Sequence, residues 1–156
     1  MKRVLIILTI AFAGVLTSNA QTQNEEIDII QSLFGMEKKA AVAAFLELEG
    51  ASADAFWELY EAYETDRKAL GKRRIDLLNN YAEEYLELDD AKTEEIMKET
   101  IALSQSYDKL IVKYYKKVKK SHGVKTATQF FQIESYLKSY IRTIIFSSIP
   151  FVGEIE

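Results

Sequence analysis

The sequence predicts an all-α protein, an elongated antiparallel bundle of about four helices built around a long central hairpin. Three observations carry that prediction. Beyond residue 20 the chain has one proline, Pro150, and few glycines, so little in it breaks a helix. Apolar side chains recur at three- and four-residue intervals along most of the length, the period of a helix with one buried face. The strongest stop and cap signals fall at Gly50, Asp89-Asp90 and His122-Gly123, which leaves long uninterrupted segments between them.

The elements follow in order. Residues 1–20 read as a cleavable signal peptide. Met1-Lys2-Arg3 is the positive start, Val4 to Leu16 the apolar run, and Thr17-Ser18-Asn19-Ala20 the small-residue end, with cleavage expected after Ala20. The run is too short to stay in a bilayer, which takes about 20 residues, and no other segment qualifies. Residues 21–156 then form one helical domain, periplasmic or secreted, with no membrane span in its mature form. The absence of cysteine rules out a lipoprotein-type signal and any disulfide staple.

Helix one is expected from Glu25 to Leu48, bent at Gly35, with Ile27, Ile30, Phe34, Ala41, Phe45 and Leu48 on its inner face. Gly50 ends it, and Ser52 or Asp54 caps the next. Helix two, Ala53 to Leu88, carries Phe56, Tyr60, Tyr63, Leu70, Leu77, Tyr81, Tyr85 and Leu88 on one stripe. Asp89-Asp90 breaks and caps. Helix three, Ala91 to Ser121, buries Ile96, Leu103, Tyr107, Leu110, Tyr114 and Val118. Helix four, Lys125 to Ser147, buries Phe130, Leu137, Ile141, Ile144 and Ile145, and Pro150 turns the chain out of it. The join between helices two and three is so short that they must be antiparallel neighbours. Residue i on one therefore lies level with about 178 − i on the other.

The chain carries 20 basic and 24 acidic residues, unevenly placed. Residues 21–107 hold 9 basic and 20 acidic, whereas residues 108–156 hold 9 basic and 4 acidic. An acidic total on an exported chain argues against nucleic acid as a partner. Within the basic part, Lys109, Lys113, Lys116, Lys117 and Lys120 share an arc of about 100° on helix three. The antiparallel register sets them level with Glu58, Glu61, Glu64 and Asp66, so pairing between helices is weighed above capture of an acidic partner. Trp57 and Tyr115, with Phe131, Tyr136 and Tyr140, fall at or outside the margins of the stripes. Rings set among these lysines are a candidate surface for a protein partner or unfolded clients.

Three charges sit inside apolar stripes: Arg67 and Arg74 on helix two, and Glu134 on helix four. Charges on buried faces are costly unless they meet, so the expectation is an Arg67–Glu134 or Arg74–Glu134 bridge, with tyrosine hydroxyls as further partners. Its role is read as structural.

No residue set points to catalysis. There is no cysteine nucleophile, the single histidine, His122, stands at a helix end, and no glycine-rich loop could cradle phosphate. Met36 and Met97 lie far apart in sequence, and Glu83/Glu87 and Asp90/Glu94 read as solvated faces. Neither a metal nor any other cofactor is expected.

An exported chain with a short first helix, a long helical hairpin and a closing helix resembles the Spy/CpxP-like periplasmic proteins. The resemblance is one of layout. The segments nearest that group's Leu-Thr-x-x-Gln signature are Leu88-Asp89-Asp90-Ala91-Lys92 and Lys125-Thr126-Ala127-Thr128-Gln129. The run Phe130-Phe131-Gln132-Ile133-Glu134, followed by Ile149-Pro150-Phe151-Val152, is similar to the ends of small exported helical proteins of Gram-negative bacteria. The resemblance implies a periplasmic, cradle-like helical protein able to form a homodimer. Three functions are carried forward: a non-catalytic chaperone or envelope-stress adaptor, which needs a surface mixing rings and lysines; a metal-responsive sensor, which needs carboxylates converging on His122; and a partner-docking bundle, which needs an apolar patch of helix four and the tail.

Overall fold

The computed structural model describes residues 36–154. The signal segment, the first part of helix one with Gly35, and Ile155 lie outside the described residues. The protein is all-α, and there is no strand among the described residues. Helix α1 occupies 36–46, α2 runs Gly50–Glu84 and ends in a short 3-10 turn at Tyr85–Glu87, and α3 runs Asp90–Ser148. No helix among the described residues is long and apolar enough to cross a membrane.

Three helices are therefore counted among the described residues rather than four, because the two expected at 91–121 and 125–147 run as one element. The expected stop at Gly123 survives as a break within it, with φ 79° and ψ 177°. One residue outside helical geometry replaces a loop. The first arm of α3 (90–122) and its return arm (124–148) then lie antiparallel. Tyr115 meets Phe131 with ring centroids 6.1 Å apart, and Asp108 pairs with Lys138, so residues equidistant from Gly123 are level. That backbone conformation is open to glycine alone, and a Cβ built there meets nothing within 4 Å. Gly123→Ala is thus expected to cost about 1–3 kcal/mol through backbone strain without any clash. Urea unfolding checks this, and an unchanged midpoint contradicts it.

The first hairpin differs from expectation in detail. Gly50 does not end α1. Glu47 takes the left-handed conformation (φ 50°) directly after the helix, and Gly50, at φ 57°, opens α2. Ser52 and Asp54 lie inside α2, and the cap position belongs to Glu49, whose side chain makes no capping bond. The inner face of α1 is also turned by one residue. Lys38, Val42 and Leu46 are buried, whereas Ala41 and Phe45 are exposed. Phe45 drew the reading to its own side of the helix, but a four-residue series headed by a lysine forms the packed face. Elsewhere the caps stand as expected: Asp89 accepts a hydrogen bond from the Lys92 backbone N–H at 2.8 Å, and Ile149 leaves the helix before Pro150.

Packing follows the stripes of α2 and α3. Tyr63 lies edge-on to Tyr114 at 5.3 Å and Phe56 to His122 at 5.9 Å, which is the expected antiparallel register. The return arm runs parallel to α2: Phe130 packs on Tyr60 and Tyr63, and Tyr81 and Tyr85 donate hydroxyl bonds to the carbonyls of Pro150 and Phe151. Helix α1 packs on α2, where Lys39 pairs with Glu61 and stands 5.1 Å from the Trp57 ring, and reaches the return arm through Lys38. Val42, Phe56, Tyr60, Tyr63, Val118, Ala127 and Phe130 are nearly sealed from solvent, so one aromatic core sits where all these segments meet. Edge-to-face ring pairs of this kind add about 0.5–1.5 kcal/mol each beyond the area they bury.

Candidate functional site

Two charged constellations stand out, one closed inside the fold and one open on its surface. The inner one centres on Glu134, which is 2% exposed. Tyr60 donates its hydroxyl to Oε1 at 2.9 Å, and Tyr63 donates to Oε2 at 2.6 Å. The Lys38 ammonium lies 2.7 Å from Oε2 and also bonds Glu64 at 2.5 Å. Glu64 in turn accepts from Arg67 Nε at 2.9 Å on both oxygens. Charges therefore alternate along Glu134, Lys38, Glu64 and Arg67 and cancel. The Lys38 ammonium also lies over the Tyr63 and Tyr60 rings, at 4.9 and 5.4 Å from their centroids.

The partner of Glu134 differs from the expected one. Its cation is Lys38 of α1, whereas Arg67 engages Glu64 one turn away, and Arg74 lies 4.2 Å from the centroid of Tyr107. The three expected residues do line one cavity, of about 30 Å³, together with Lys38, Tyr63 and Tyr107. That space admits a water molecule and nothing of substrate size. Sequence reasoning missed Lys38, although its four-residue spacing from Val42 and Leu46 was the available signal.

Burial shapes the titration of these groups. Tyr60 and Tyr63 are pushed far above the ordinary tyrosine value, first by loss of solvent and then by the Glu134 carboxylate. Burial also lowers Arg74. Desolvation is also the largest single influence on Arg67, but the charge and hydrogen bond of Glu64, with smaller contributions from Tyr107 and Tyr63, together raise it.

The outer constellation is the solvent face of α3. Of the predicted stripe, Lys113 pairs with Asp66 at 2.8 Å, as the register required, and Lys117 lies 4.5 Å from the Tyr114 centroid. The hydrogen bond from Lys113 holds Asp66 below its usual value, though both groups are solvated and the pair contributes little. Lys109, Lys116 and Lys120 are exposed and enter no ion pair among the described residues. Lys119, which the stripe omitted, joins them. Interhelical pairing thus accounts for one of the five predicted lysines.

The aromatic residues divide between sites. Tyr115 is half-buried against Phe131 beside these lysines. Trp57 is half-buried on the α1 side of α2, edge-on to Phe56 and Tyr60, and is not brought to the lysine face. Tyr136 and Tyr140 stack 6.4 Å apart on the return arm and are exposed. His122 spends both ring nitrogens locally, on Ser121 Oγ at 2.7 Å and the Ser52 carbonyl at 2.9 Å. Among the described residues, no three histidine, aspartate or glutamate side chains converge as a metal site would require. In comparisons with known proteins, no family model, curated protein or solved structure matches the chain.

Proposed function

We propose that the chain is a non-catalytic exported binding protein of the periplasm, a chaperone or envelope-stress adaptor, built as an elongated antiparallel bundle of four helical rods. One observation supports this above the others: on the outer face of α3 and its return arm, exposed apolar and aromatic side chains stand among lysines that the fold leaves unpaired. The resemblance in layout to Spy/CpxP-like proteins and the signal-type start point to the same compartment. Crosslinking pull-down of residues 21–156 from envelope extract tests it. Many unrelated, partly unfolded proteins indicate a chaperone, and one stoichiometric partner indicates an adaptor. Recovery of nothing above a scrambled-surface control counts against both.

The tail favours a second reading, that of a docking module. Pro150 and Phe151 are tied through their carbonyls to α2 and the turn that follows it, yet Phe151 is 60% exposed and lies 6.2 Å from the exposed ring of Phe146. Truncation after Ser148 is expected to cost about 1–3 kcal/mol, for the two lost tyrosine hydrogen bonds, and to leave the helical circular dichroism intact. Loss of one specific partner from that folded variant supports docking. Global unfolding would make the tail part of the core instead.

A further inference from the structure

The antiparallel register of the two arms of α3 lays an exposed face of each side by side, with a shallow groove implied along their seam. The register that sets Tyr115 against Phe131 and Asp108 against Lys138 places Ile101 level with residue 145. Ile101, Val112 and Tyr115 line one wall, and Phe131 and Phe146 the other. Ile101 is 51% exposed, and Val112, Phe131 and Phe146 are 40–44% exposed. Ile101, Asp108 and Tyr115 are seven residues apart, so this wall is a straight strip that turns only slightly about the helix, apolar toward both ends and crossed midway by the Asp108–Lys138 pair. It is about 21 Å long from Ile101 to Tyr115, the length of four turns of helix.

The charge around the groove is predominantly positive. Between residues 101 and 131 the chain has seven lysines and a single acid, Asp108, which Lys138 already neutralises. Lys109, Lys116 and Lys120 follow the crest of the first arm, Lys119 stands in line with Val112 beyond the end of the strip, and Arg142 borders the opposite wall over the Phe146 ring. A largely apolar strip, its one acid neutralised by Lys138 and its border lined by unpaired cations at helical intervals, matches a rod with an apolar seam and acidic flanks.

We propose that this groove takes an acidic amphipathic helix of a partner protein, about four turns long. Its apolar seam lies along Ile101, Val112, Tyr115, Phe131 and Phe146, and its carboxylates meet Lys109, Lys116, Lys119 and Lys120. The proposal rests on the reading of the chain as a binding protein and adds the chemistry of what is bound. An anionic membrane fits less well, because a grooved wall matches a rod better than a plane and the chain as a whole is acidic, net −4.

The test uses residues 21–156 and a fluorescent 16-residue helical peptide with leucines on one seam and glutamates on both flanks. Two control peptides carry lysine flanks or a serine seam. The acidic peptide is expected to bind at least tenfold tighter than either control, and to weaken with salt. Lys116→Glu combined with Lys120→Glu should cost tenfold or more, as should Val112→Gln combined with Phe131→Gln. All four positions face solvent, and circular dichroism verifies that the variants fold. Equal binding of the serine-seam peptide overturns the groove, since charge alone then accounts for binding. Binding to vesicles rich in anionic lipid with none to the peptide overturns it in favour of a membrane. A wild-type dimer that the charge reversal dissociates, with no peptide binding, assigns the face to a second copy. Envelope partners whose capture ignores both double variants would sink this proposal and leave the binding function standing; an empty pull-down removes the function itself.

Discussion

Glu134→Ala is expected to lower the unfolding free energy by about 3–5 kcal/mol, because it leaves two buried cations, Lys38 and Arg67, to share one carboxylate. The carboxylate accepts from Tyr60, Tyr63 and Lys38, and Lys38 is itself only 4% exposed. Removing it leaves two buried hydroxyls without their acceptor and leaves Lys38 to Glu64, which Arg67 already shares. For a domain of this size the melting temperature should fall by roughly 10–20 °C. Glu134→Gln keeps the shape and one acceptor oxygen, so its loss should be smaller. The informative comparison is Lys38→Met, Glu134→Leu, Tyr60→Phe and Tyr63→Phe together. Replacing a whole buried polar set by apolar groups of similar size is often close to neutral, so this variant should recover most of the stability. Urea denaturation reads all three. An alanine variant within about 1 kcal/mol of the parent would show that the site relaxes or hydrates.

The contrast between the two constellations separates their roles. The inner set is closed: each charge has an opposite neighbour, solvent is excluded, and three segments of the chain contribute to it. Such a set ties α1 to α2 and the return arm and contributes most through specificity of packing. The outer set is open, with lysines that gain almost nothing from the fold and so remain available to a ligand.

What the sequence made legible was whatever one helix determines by itself. Ile96, Leu103, Tyr107, Leu110, Tyr114 and Val118 are all buried, as their spacing required, because a stripe and its buried face are the same geometric object. The short join at Asp89 set the register between α2 and the first arm of α3 for the same reason: two residues leave no freedom. Partnership across three segments was not legible. The charges at Arg67, Arg74 and Glu134 announced a buried cluster, but α1 supplied the cation, and nothing local to α2 or the return arm encodes which helix brings it. The face of α1 was misjudged for a related reason, since the bulk of Phe45 outweighed a series headed by Lys38. The register reached the Lys113–Asp66 pair but not the solvent-facing side of the stripe, because being level with an acid does not turn Lys116 or Lys120 toward it.

Alkaline pH should unfold this protein through Tyr60 and Tyr63. Both hydroxyls are buried and point at a carboxylate, so ionising either in place would set two negative charges within hydrogen-bond distance. Their folded-state pKa values lie far above the unfolded value of 10.0, with burial the largest cause and Glu134 the next. The sign follows from linkage. Below pH 10 both states keep the two protons and stability is unaffected. Above it the unfolded chain releases them while the folded chain holds them, so unfolding is drawn forward as pH rises. Each tyrosine contributes about 1.4 kcal/mol per pH unit, so the pair should remove about 2.7 kcal/mol per unit beyond pH 10. Tyr107 and Tyr114, also raised by burial, steepen the fall. The transition should be cooperative, with tyrosinate absorbance at 295 nm rising together with the loss of helical circular dichroism. Tyr60→Phe combined with Tyr63→Phe should flatten the slope by the same 2.7 kcal/mol per unit, about two protons. Tyrosinate absorbance that rises smoothly near pH 10 with the helix intact would show that both hydroxyls reach solvent in the folded state, and the buried net would have to be redrawn.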